Sequence, residues 1–80
     1  MKNQGQSSFR VFVGGLLFST TEETVSLVAS RFGKVSHVKI VRNKSKRSGI
    51  YAFVTFAHAH AAKWMFLARI VCIDGVKCTV

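Results

Sequence analysis

Phe12, Tyr51 and Phe53 stand in two short runs, Val11-Phe12-Val13-Gly14-Gly15-Leu16 and Tyr51-Ala52-Phe53-Val54-Thr55-Phe56, in which aromatics alternate with small or aliphatic residues. Successive side chains of a strand point to opposite faces. The three rings can therefore share one surface while Val11, Val13, Ala52, Val54 and Phe56 share the other. The aliphatic set is the natural core, which predicts three aromatic rings on a solvated sheet face. The chain carries 12 Lys and Arg against 3 acidic residues, a formal charge of +9. That imbalance favours a polyanionic partner. Nucleic acid comes first and an anionic membrane surface second, because rings on a basic surface are suited to stacking unpaired bases.

Stacking accepts any base, so discrimination falls to polar groups around the rings. Alternation brings His37 and Lys39 of a second strand, Thr55 of the third, and Lys77 and Thr79 of the last to the same face, with Lys39 foremost. Phosphates call for positive charge along a bending backbone, and Arg10, Arg42, Lys44, Lys46 and Arg47 supply it. Such contacts set salt dependence more than sequence choice. Gly14 and Gly15, without side chains, are expected to let a nucleotide come close to the backbone.

Other chemistries find little support. At 80 residues the chain is one domain with a modest core and little room for a deep active site. It has no nucleophile–base pair and no carboxylate pair, and Gly33-Lys34 lacks the preceding glycine of a P-loop. An enzyme is not expected, and neither is a cofactor. His58 and His60 have no acidic co-ligand nearby, so no metal is expected. Cys72 and Cys78 fit no common zinc or redox spacing and read as free, mostly buried thiols. Asn43-Lys44-Ser45 matches the glycosylation triplet by chance, since Met1 to Arg10 lacks the apolar block of a signal peptide. No apolar run approaches the ~20 residues that span a bilayer. The expectation is a soluble, monomeric, intracellular domain with no membrane partner, in nucleus or cytoplasm, with an organelle left open.

The elements that must hold the rings follow from punctuation and period. Residues 1–8 are polar and read as a flexible lead-in. A strand from Arg10 to Gly14 ends at the glycine pair. Thr20 and Glu23 stand at capping-box spacing and predict a helix to Phe32, stopped by Gly33, with Val25, Val28, Ala29 and Phe32 as its buried stripe and Leu27 outside. Val35 to Arg42 is a strand, 43–49 a basic loop, Ile50 to Ala57 a third strand, and Ala59 to Ala68 a second helix. A turn at Asp74-Gly75 leads to a last strand, Val76 to Val80. The order β-α-β-β-α-β is the ferredoxin-like α+β arrangement, a four-stranded antiparallel sheet with two helices on one face. It makes the first and third strands central neighbours, so the rings lie together on the open face.

With these elements in place, residues 9–80 resemble an RNA recognition motif (RRM). The family's hexamer is met by Val11 to Leu16, and its octamer, K/R-G-F/Y-G/A-F-V-x-F/Y, at six of eight positions ending in Tyr51 to Phe56. The Gly14-Gly15 pair and Lys46-Arg47-Ser48 are most similar to the Musashi and hnRNP A/B type. The resemblance implies single-stranded RNA as partner, with single-stranded DNA as a variant, within an mRNA-processing or mRNA-regulating protein. It implies base stacking on Phe12 and Tyr51, and Phe53 between two riboses or at a base edge. One departure matters: Gly49-Ile50 stands where the family has a basic residue followed by glycine, so the usual phosphate contact must come from Lys46 or Arg47.

The second helix allows another function. Aligned as in the family, Ala62, Met65 and Phe66 face the sheet and His60, Trp64 and Leu67 face out, which would make a protein-contact surface. The alternative is a rotated helix that buries Trp64 with Ala61, Leu67 and Ala68.

Overall fold

The computed structural model describes residues 9–42 and 49–80. Residues 1–8, and Lys44, Lys46 and Arg47 within 43–48, lie outside the described residues.

Alternating β-branched and aromatic side chains favour extended backbone, and Arg10–Gly14 (β1) pairs antiparallel with Ile50–Phe56 (β3), Val11 opposite Val54 and Val13 opposite Ala52. Val35–Arg42 (β2) lies along the far side of β3, with an irregularity between Val35 and His37. Beyond β1 come Val76–Thr79 (β5) and then Ile70–Ile73 (β4), giving the order β2-β3-β1-β5-β4. The sheet thus has five strands instead of the expected four. Ile70 to Ile73 is a β-branched run followed by Asp-Gly, and it forms a hairpin with β5, Ile70 opposite Thr79 and Ile73 opposite Val76. Asp74 (φ 54°) and Gly75 (φ 76°) both take the left-handed conformation that two-residue hairpin turns require.

Two helices cover one face, Glu22–Ala29 (α1) and Ala59–Ala68 (α2). The first starts one residue later than the capping-box spacing suggests. Thr21 is the cap, its hydroxyl accepting the Thr24 N–H at 3.3 Å. Thr20 is fully buried and donates its hydroxyl to the Asp74 carboxylate at 3.0 Å, which removes it from capping. The helix ends at Ala29, and Phe32 sits in the following turn with its N–H on the Ala29 carbonyl at 2.9 Å. Val25 and Ala29 are buried, Val28 and Phe32 pack at the core margin, and Leu27 is exposed.

The core joins Val11, Val13, Ala52, Val54 and Phe56 to Val25 and Ala29 of α1 and to Ala61, Ala62 and Met65 of α2. Phe66, expected to face the sheet, is 61% exposed. Its place is taken by Ala61, because the turn after α1 packs directly on that residue. A Cβ at Gly33 would collide with the Ala61 Cβ, so only small side chains fit this crossing. Cys78 is buried as expected, but Cys72 is exposed, since it alternates outward along β4. Among the described residues no helix is long and apolar enough to cross a membrane.

One carboxylate reaches the sheet's edge. β2 is an outer strand, and the Ile40 N–H that faces away from β3 donates to Glu22 of α1 at 3.3 Å.

Gly33→Ala is expected to lower the unfolding free energy by about 1–3 kcal/mol through overpacking, measured by urea denaturation. Adding Ala61→Gly should recover part of that loss, and no recovery would show that the collision is not its cause. Burial pushes the Cys78 thiol above its ordinary pKa. A thiol reagent at neutral pH should therefore modify Cys72 promptly and Cys78 only as the chain opens, which peptide mapping over time would resolve.

Candidate nucleic-acid interface

Register alone brings the three rings together. Phe12 lies directly opposite Phe53, and Tyr51 lies opposite Gly14. Ring centroids are 5.4 Å apart for Phe12 and Tyr51, 5.9 Å for Phe12 and Phe53, and 5.7 Å for Tyr51 and Phe53. The first pair is tilted at 35° and the other two are edge-on at 64° and 88°, so the rings brace one another. Phe12 is 48% exposed, and Tyr51 and Phe53 are half-buried. Gly14 serves the rings here: a Cβ at that position would stand 3.0 Å from the Phe12 ring. Its missing side chain lets Phe12 lean toward Tyr51. Gly15 (φ 85°) turns the chain out of β1, where a Cβ would meet the Lys77 carbonyl oxygen at 4.0 Å.

Polar side chains flank the rings in cross-strand rows. Lys39, Phe53 and Phe12 form one row across β2, β3 and β1, and His37, Thr55 and Arg10 form the next. The Arg10 guanidinium stands 4.8 Å from the Phe53 centroid, within cation–π range. Tyr51 and Gly14 continue to Thr79 of β5 and Ile70 of β4. Lys77 and Thr79 are exposed, and β4 adds exposed Ile70 and Cys72 to the same face. These last two were not foreseen because β4 itself was missed.

Arg42 has a role within the fold as well. Its Nη2 donates to the Thr20 carbonyl at 2.6 Å and its Nε to the Phe18 carbonyl at 3.2 Å. These charge-assisted bonds fix the segment between β1 and α1 to the end of β2. Two of the five guanidinium donors are thereby used. The same guanidinium lies 6.0 Å from the Phe18 ring, which is 59% exposed. Phe18 is a candidate that the sequence pattern passed over. An aromatic in a short loop directly after the hexamer was the available signal.

Other candidates fall elsewhere. Trp64 and Leu67 are exposed on α2 at 59% and 50%, away from the sheet's open face. The rotated helix that would bury Trp64 is therefore not adopted. His60 instead stacks on His58, with centroids 5.5 Å apart. Among the described residues no three His, Cys, Asp or Glu side chains come together.

A profile of the RNA recognition motif family matches residues 11–64. Among solved structures, the RRM3 domain of Mip6 superposes with a TM-score of 0.80 at 21% identity, over 92% of this chain and 91% of that one. The RNA binding domain of Hrp1, solved in complex with RNA, gives 0.74 at 25% identity, over 90% of this chain and 43% of that one. The C-terminal RNA recognition motif of the hypothetical RNA-binding protein RBM19 gives 0.68 at 19%, over 92% and 73%. The Mip6 and RBM19 likenesses concern the fold.

Arg42→Gln should lower stability by about 1 kcal/mol without any ligand, since two charge-assisted bonds are lost at a partly solvated site. Urea unfolding of the free domain tests this. An unchanged midpoint would return Arg42 to a purely ligand-facing role.

Proposed function

The chain belongs to the RNA recognition motif family, and from that premise we propose that it binds single-stranded RNA on the open face of its sheet. One observation carries the reading: three mutually braced rings, centroids 5.4–5.9 Å apart, on a face that also presents Arg10, Lys39 and Lys77. The RNA complex of the Hrp1 domain, 25% identical over 90% of this chain, supports it.

In this reading Phe12 and Tyr51 each stack a base, and Phe53 fills the gap between riboses or meets a base edge. Phe12 is suited to its part because half of its surface is already open to solvent. Lys39 and Arg10 stand beside Phe53 in neighbouring rows and reach base edges or phosphates. His37, Thr55, Lys77 and Thr79 extend the polar margin. Arg42, held by two backbone carbonyls, keeps other donors for a phosphate while it positions Phe18. Lys44, Lys46 and Arg47 add charge between β2 and β3, replacing the basic side chain that Gly49-Ile50 lacks. Gly49 is buried and Ile50 packs against the core, so that substitution costs the site a cation and leaves the fold intact. Residues 9–80 act as one binding module, and single-stranded DNA is a weaker variant ligand. Service in an mRNA-processing or mRNA-regulating protein fits such a module.

Phe12→Ala and Tyr51→Ala should each weaken RNA binding by about 1–3 kcal/mol, roughly 5- to 150-fold in Kd. The check is titration of the four homopolymeric RNAs at two salt concentrations. Affinity should fall as salt rises, because phosphate contacts release counterions. Absence of binding to all four, or alanine variants that bind as the parent does, would refute the reading.

A further inference from the structure

The helix layer carries a second surface that RNA binding on the sheet leaves unused. Of the ten residues of α2, only His60 and Lys63 are not apolar. A helix apolar on most sides is normally buried on most sides, yet the core takes only Ala61, Ala62 and Met65. Trp64, Leu67 and Ala68 follow the i, i+3, i+4 spacing of a second stripe that points away from the sheet. With Phe32 and Arg31 of the turn after α1 they line an open groove of about 480 Å³. That turn approaches α2 closely at Gly33, where a Cβ would collide with the Ala61 Cβ.

Charge narrows the choice of occupant. Arg31 lines the groove, Lys63 adjoins Trp64, and Arg69 caps the end of α2. None of the chain's 3 acidic residues reaches it. Glu22 and Glu23 line a different hollow beside β2, and Asp74 is held by Thr20 in the β4–β5 turn. A second copy would bring the same formal +9 and the same cationic rim, and repulsion opposes that pairing. Residues 1–8 supply one large apolar side chain, Met1, together with a lysine and no acid. A nucleic acid matches the charge but not the hydrocarbon lining of Phe32, Leu67 and Ala68.

We propose that the groove between α1 and α2 docks an acidic, amphipathic segment of a partner protein, its apolar side chains against Trp64, Leu67 and Phe32 and its carboxylates toward Arg31. The aromatic and arginine composition is that of an interface centre, and helix-in-groove binding is an established mode for such surfaces. This inference does not rest on RNA binding, since it uses the opposite layer of the fold.

Trp64 is the single tryptophan of the chain and reports directly on the groove. The experiment titrates the 80-residue protein with a tryptophan-free helical peptide that carries Leu at i, i+3, i+4 and i+7 and Glu elsewhere. A matched peptide with Lys in place of Glu is the comparison. A saturable blue shift of Trp64 emission is expected with the Glu peptide, and binding of the Lys peptide should be weaker by about tenfold or more. Leu67→Asp and Arg31→Glu should each weaken the Glu peptide by about tenfold, while Leu67→Asp leaves homopolymer RNA binding unchanged. Arg31→Glu, in an exposed turn, carries the test alone should Leu67→Asp not fold. The proposal is overturned if emission does not move, if both peptides respond equally, or if neither variant weakens binding. It is also overturned if RNA shifts Trp64 emission and loses binding in Leu67→Asp, or if sedimentation shows a dimer that this variant dissolves.

Discussion

The alignment of β1 with β3, Phe12 opposite Phe53, is the constraint on which the rest of the molecule depends. It is enforced from the hidden side of the sheet, where Val11 and Val13 are almost fully buried against the helices while Phe12 between them is 48% exposed. A slip of one residue would send both valines into water and drive rings into a space filled by Ala52 and Val54. Burying each such aliphatic side chain contributes about 1.5–3 kcal/mol, so a slipped register is strongly disfavoured. The arrangement of the rings is therefore set by packing that no ligand touches. The rings are held in place by the free chain itself, and a ligand that stacked on them would meet little ordering cost.

A second restraint operates at the end of the sheet where β1 gives way to α1. Thr20 is fully buried there, its hydroxyl spent on Asp74 and its carbonyl on Arg42. Two side chains distant in sequence thus hold one short loop. A buried hydroxyl without a partner would be costly, so the Asp74 turn and the loop stand or fall together. The same restraint holds Phe18 in place while its ring remains exposed. Loops of this size are ordinarily mobile, and here a functional candidate sits on one that is tied from both sides.

Much of this was legible in the residues. β1, β2 and α2 begin and end where alternation and punctuation place them. The shared face of Phe12, Tyr51 and Phe53 follows from period alone, and element order then makes them neighbours. What escaped depended on tertiary contact. The capping pattern at Thr20 is sound locally, but a carboxylate more than fifty positions away claims that hydroxyl and shifts the cap to Thr21. Phe66 and Ala61 could not be ranked from a helix that is apolar nearly all round; the Gly33 approach decides between them. Nothing in the sequence sets Arg42 apart from the other basic residues; the carbonyls of Phe18 and Thr20, far from it along the chain, do. Strand β4 is a different case, since its run and the Asp-Gly turn form a hairpin pattern readable without any structure.

The bond from the Ile40 amide to Glu22 has a consequence beyond local satisfaction. An outer strand offers unpaired amides on which another strand can align and extend the sheet. On β2 one of those positions is already held by a carboxylate of the same chain. A strand arriving from another molecule would have to displace that carboxylate and break its bond to the Ile40 amide. At the other rim β4 is only four residues long, a short template. Edgewise fusion of sheets is discouraged at both ends.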